Sequence, residues 1–178
     1  MADAGSARSA LHHPRQWHMI GEIDLAGMIA GHAALRRLCD RLERIADALP
    51  ARPDADETQW CRAELEAFMP RDSQRDEHLF HGEELEDVSI GLFVIDQIRS
   101  AHLLDRIHAQ DLAAALSDER EQPVPAETLA YMLRCFFDGC RRAMAFEKVA
   151  LLMLAGQRLT PTARALLIDS LGASVRSG

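Results

Sequence analysis

The chain is poor in the residues that build sheets. It has five Val and nine Ile against 28 Ala and 23 Leu. Ala and Leu are strong helix formers, whereas strands draw on β-branched side chains, so the balance predicts a helical protein. Paired cysteines are also lacking. Cys39, Cys61, Cys135 and Cys140 stand singly with no CxxC, which excludes a zinc ribbon, argues against a disulfide scaffold and predicts a reduced, cytoplasmic protein. No stretch approaches the roughly 20 uncharged apolar residues of a membrane span, so no membrane association is expected. The start, residues 1–16, has no apolar core of a secretory signal. Positive charge is in deficit: 20 basic against 28 acidic side chains give a net charge of −8. A general nucleic-acid surface needs clustered positive charge and is disfavoured. The basic side chains are 19 Arg and one Lys, Lys148. Internal repeats and low-complexity segments are absent.

What is present is a globular composition, 48% hydrophobic and 27% charged over 178 residues. That length is enough for one domain with a sizeable core. Residues 1–17 read as a flexible tail and residues 18–175 as the folded body; His12, His13 and the adjoining His18 could touch metal, but a polar terminal segment reads as solvated. Apolar residues at three- and four-residue steps predict helices. The first covers 19–49 on the stripe Ile20, Ile23, Met28, Ile29, Leu35, Leu38, Leu42, Ile45 and Leu49, closed by Pro50 and Pro53. A second covers 57–80 on Trp60, Leu65, Phe68, Met69, Leu79 and Phe80, with a kink or break expected at Pro70. A third covers 85–116 and includes Leu92, Ile95, Ile98, Ala109 and Leu112. A fourth covers 126–154 on Leu129, Leu133, Phe136, Cys140, Ala143, Ala150 and Leu154. Gly156 stops it, and Thr160 with Pro161 caps a short fifth helix to about residue 171. Long amphipathic helices joined by short loops predict an all-α, up-down-up-down four-helix bundle, with the short fifth C-terminal helix across one end.

In a bundle, chemistry is written as polar residues that interrupt the core stripes. His32 follows Met28 and Ile29 by one turn and points inward; a core histidine bonded to a neighbour would do the same. Asp72 and Asp76 lie one turn apart on the line of Leu65, Met69 and Phe80, so their carboxylates can converge. A broken face at Pro70 would instead leave both solvated, with Arg71 and Arg75 competing for the position. His102 and Asp105 sit mid-stripe on the third helix, with Arg106 on the flank, and a simple His–Asp hydrogen bond would explain the pair. Glu147 lies on the fourth-helix stripe among Cys140, Ala143 and Ala150. A carboxylate there is costly unless an arginine or a metal neutralises it. Inward imidazoles and carboxylates from four facing helices are the general plan of a di-iron bundle.

On these residues the chain resembles the bacterial hemerythrin-like (HHE cation-binding) domains. The resemblance spans about residues 23–171 and is carried by GHAALRRLCDRLERIADALP (31–50), LEAFMPRDSQRDEHLF (65–80), IRSAHLLD (98–105), RRAMAFEKVALLMLA (141–155) and RLTPTARALL (158–167). The RRxxAFExxxLLxLA pattern followed by RLT is the most specific. The resemblance implies a bundle built for a non-haem di-iron centre, held by histidines and bridging carboxylates, with dioxygen at an open position on one iron. It assigns His32 as the first-helix histidine, His102 as a third-helix histidine and Glu147 as the bridging carboxylate. It places Asp72 and Asp76 where the family carries a His-x-x-x-Glu pair; a register one residue earlier places Arg71 and Arg75 there. Arg106 and Ala143 stand where further ligands are expected. One iron position therefore loses two of its three terminal ligands and keeps His102, which alone cannot hold it, and the other keeps His32, Asp72, Asp76 and Glu147, an oxygen-rich set suited to Fe(II), Mn(II) or Mg(II). The guanidinium of Arg106, paired with Asp76 or Glu147, would make a metal-free variant. His78 and His81 fall on or past the last turn of the second helix, away from the middle.

The expected function is a binding, sensing or interaction protein with an impaired di-iron site, holding one iron or no metal per chain, with a protein partner or a second copy as its macromolecular contact. The alternative is a working non-haem iron protein that binds dioxygen or nitric oxide. An enzyme is not expected, because a di-iron oxidase needs redox cycling at two metals with open positions.

Overall fold

A computed structural model describes residues 19–71, 88–117 and 123–176 and, among them, five α-helices and no strand. The helices are α1 (Glu22–Ala48), α2 (Ala55–Arg71), α3 (Val88–Ala115), α4 (Ala126–Ala155) and α5 (Pro161–Arg176). Among the described residues, no helix is long and apolar enough to cross a membrane.

Helix starts follow local chemistry. At α1 the backbone N–H of Gly21 donates to the Asp24 carboxylate at 2.9 Å, and Glu22 and Asp24 place negative charge on the positive end of the helix dipole. At α2 Asp54 accepts the Glu57 N–H at 2.7 Å. At α5 the Thr160 hydroxyl accepts the Ala163 N–H at 3.1 Å, as expected of an N-cap before proline.

Several boundaries and facings depart from the periodic reading. Ile20 precedes α1, paired instead in a short parallel bridge: its N–H donates to the Arg158 carbonyl at 2.8 Å, and its carbonyl accepts the Thr160 N–H at 3.2 Å. The buried line of α1 therefore starts at Leu25 and runs through Met28 to His32, leaving Ile23 89% exposed. Leu92 is 55% exposed, so the inward face of α3 begins later, with Ile95 half-buried against the core and Ile98 buried. Helix α2 runs through Pro70 to Arg71; the expected continuation to residue 80 lies outside the described residues. Helix α5 passes through Gly172 to Arg176, five residues beyond the expected stop at 171, because Gly172 keeps helical backbone.

Helix α4 packs on both α1 and α3; α2 packs on α3 and touches α1; α5 lies against α1 and α4. Phe68 meets Phe136 edge-on at 6.0 Å between ring centres, Arg41 stacks over Trp60 at 3.9 Å, and Arg141 reaches from α4 to Asp40 and Glu43 of α1 at 2.8 and 2.6 Å.

The core divides in two. One apolar cluster joins Leu38, Leu42, Leu65, Leu112, Leu133 and Phe136; the other joins Ile20, Leu25, Ile98, Leu151, Leu159 and Leu167 at the α5 end. Along α1, α3 and α4 polar side chains stand between the two contributions: His32, then His102 and Asp105, then Glu147 and Lys148, with apolar Ala143 and Met144 beside them on α4.

Candidate functional site

This polar layer is built around one carboxylate. Glu147, 4% exposed, is brought inward by the same α4 periodicity that buries Cys140, Ala143 and Ala150. Its two oxygens are divided between two helices. Oε2 lies 2.9 Å from His32 Nε2 of α1, and Oε1 lies 2.6 Å from His102 Nε2 of α3. Burial opposes ionisation of Glu147, but the hydrogen bonds and charge of His102 and His32 outweigh it and hold the carboxyl down at about 2. An ionised carboxylate only accepts, so each Nε2 carries the proton and donates. The Nδ1 of His32, 9% exposed, is buried with no hydrogen-bond partner among the described residues.

The anticipated arginine pairing of Glu147 is corrected here. Its oxygens go to the two imidazoles and not to the Arg106 guanidinium, because His102, one turn earlier on α3, is the residue level with Glu147. Asp105, buried, lies against α4 with Oδ1 3.0 Å from where a side chain on Gly139 would begin. Neighbouring Cys140 is pushed far up by the Cys39 thiol, by burial and by Asp105, and Cys61 is raised to about 11, mainly by burial. Neither thiol is poised as a nucleophile.

Sequence reasoning missed two features. Lys148 is 2% exposed; its Nζ donates to the Ser170 carbonyl of α5 at 3.3 Å, and burial and the nearby Arg36 push it down while Glu147 pulls it up. The line Met144, Lys148, Leu151, Ala155, in steps of four and three, carried that signal. The second is a cavity of about 370 Å³ beside Glu147, His32 and His102, whose further walls include Met28, Glu64, Phe68 and Asp105.

Asp72 and Asp76, like Arg75, His78, His81 and the tail histidines, lie outside the described residues. Among the described residues no group of three or more His, Cys, Asp and Glu is arranged to hold a metal ion. Both the His32–Glu147 contact at 2.9 Å and the His102–Glu147 contact at 2.6 Å are direct hydrogen bonds. The described donors alone make no metal cage. Compared with protein-family models, with curated proteins and with solved structures, the chain gives no match in any of the three.

Proposed function

We propose that the chain is a hemerythrin-like, up-down-up-down bundle whose dinuclear metal centre is impaired, and that it serves as a cytoplasmic binding, sensing or interaction protein rather than as a catalyst. The observation that carries this reading is the division of Glu147 between His32 and His102, one imidazole on each oxygen. It supports a carboxylate in a bridging position of which only one half is equipped for metal. The methyl of Ala143 lines the cavity where the resemblance expects a fourth-helix histidine, and Arg106 follows His102 where it expects another ligand. His32, Asp72, Asp76 and Glu147 would hold one ion. When bound, that ion would supply an open coordination position for a small ligand such as dioxygen or nitric oxide. Without it, the hydrogen-bonded layer is a structural element, and function rests on a surface for a protein partner or a second copy.

Metal analysis of protein expressed with iron tests the proposal. The expected result is at most one equivalent per chain after gel filtration, with no ferric charge-transfer absorption. Installing Ala143→His together with Arg106→His raises iron retention. Two retained equivalents with an oxo-bridged spectrum in the parent protein would establish a working di-iron protein instead.

A further inference from the structure

Helix α3 carries more apolar side chains than its inward face buries. Leu92, Phe93, Leu103, Leu104 and Ile107 are all exposed, Phe93 at 64%, although Ile98, Ala109 and Leu112 already fill the inward stripe. A helix that is apolar all round belongs in an environment that buries it on both sides. The apolar surface continues onto α4. Glu147 of α4 meets His102 of α3, and Gly139 meets Asp105, so the two helices run antiparallel side by side. Phe146 and Met153 follow Gly139 at steps of seven residues, about two turns each, and therefore lie on the edge of α4 that borders α3. Together with Val149 they are exposed beside the stretch 93–104 of α3. The apolar side chains on the two helices leave roughly 700–900 Å² open to solvent. That exceeds the largest apolar patch of a typical monomer, about 300–600 Å², and matches the roughly 800 Å² that each partner gives to a standard interface.

Charge is sparse on this face. Over 92–107 and 142–153 the exposed charged residues are Asp96, Arg99 and Arg142, a near-neutral set on a chain of net charge −8. Two copies that meet here keep most of their like charge away from the contact. The pattern is also self-complementary. With two α3 helices antiparallel and a twofold axis at the level of Ile98, Leu92 and Phe93 of each copy come level with Leu103 and Leu104 of the other. The same rotation brings Asp96 of each copy level with Arg99 of the other. Apolar side chains and opposite charges are thus matched by one operation, as an isologous interface requires. We infer that the chain forms a twofold homodimer through the outer face of α3 and the adjoining edge of α4, with the two α3 helices packed antiparallel. This names the surface that the second-copy arm of the proposed function needs; it rests on exposure and pattern, and holds with or without a metal.

Sedimentation equilibrium of the full chain, with metal content measured on the same samples, tests it. At about 50 µM the protein sediments at twice the 19.8 kDa of one chain. Phe93→Asp combined with Leu104→Asp puts charge into the middle of the contact and weakens dimerisation at least about a hundredfold. The helical spectrum is retained, because both side chains are more than half exposed in the single chain. Ile23→Asp, at an exposed apolar position on α1, leaves the dimer intact. Arg99→Asp weakens the dimer about tenfold, and adding Asp96→Arg restores it; where the first double variant fails to fold, this charge exchange decides. A single-chain mass at about 50 µM, an unchanged dimer in folded Phe93→Asp/Leu104→Asp, loss of the dimer in Ile23→Asp, or no rescue by the charge exchange overturns the inference. A monomer with at most one iron overturns it and leaves the impaired-centre reading standing; a dimer with two irons does the reverse.

Discussion

At Glu147 a buried charge is held without any arginine or lysine on its oxygens. Two imidazoles on different helices share it, so its removal is felt at three places. Glu147→Leu keeps much of the volume but leaves the Nε2–H groups of His32 and His102 without an acceptor. Each buried, unsatisfied donor costs about 1–3 kcal/mol, partly offset by losing the desolvation of the carboxylate. The expected net loss is about 2–4 kcal/mol in urea unfolding, unchanged by chelator. A variant as stable as the parent would show that the two hydrogen bonds contribute nothing net. The same geometry requires both histidines in the Nε2–H form, which nitrogen chemical shifts of the imidazoles read directly. That Glu147 is a buried charge in need of partners was legible in the sequence, since a charge on an otherwise apolar stripe needs a reason. Its partners were not, because whether His102 or Arg106 faces it depends on how α3 and α4 slide against each other, which periodicity does not encode.

Helix α4 was legible almost end to end: its start at Ala126, its stop at Gly156 and its buried face apart from Lys148 follow from the sequence. Helix α1 was legible in its middle but not at its start, where the pairing of Ile20 with Leu159 overrides the helical stripe and turns Ile23 to solvent. That pairing ties the start of α1 to the start of α5, and Thr160 is the joint. Its hydroxyl accepts the Ala163 N–H and donates to Glu22 at 3.2 Å, while its own N–H binds Ile20. Thr160→Ala removes both side-chain bonds and is expected to cost about 1–2 kcal/mol. Hydrogen exchange should show the loss concentrated in α5 and residues 19–25; a uniform loss of protection would contradict the joint.

Across the whole molecule, two apolar clusters meet at a layer whose charge state depends on pH. The Glu147 carboxyl sits at about 2 in the folded chain against 4.5 for an ordinary glutamate. Its depressed value means that the folded state holds the ionised form more tightly than the unfolded state does. The layer therefore contributes fully above about pH 4.5 and loses its contribution as pH falls toward 2, about 3 kcal/mol in all and about 2 kcal/mol by pH 3. Glu43, held down by Arg141, and Glu22, held down by hydrogen bonds at the start of α1, act in the same direction. Urea unfolding with chelator should show the parent losing more stability between neutral pH and pH 3 than Glu147→Leu does, by about 2 kcal/mol. Equal losses would place the acid sensitivity outside the layer.

Lys148 gives the protein a built-in reporter. It is the one lysine in the chain, and its ε-amine is enclosed between α4 and α5. An amine-reactive ester therefore finds no lysine on the folded surface, and acylation of Lys148 measures the separation of α5 from α4 rather than solvent exposure in general. Peptide mass spectrometry should find Lys148 unmodified in native buffer and acylated at urea concentrations where the α5 end opens. If it is acylated as fast as a free lysine in native buffer, α5 does not stay docked. Since no other side chain carries a primary amine, acylation of side chains in this protein reads a single structural event.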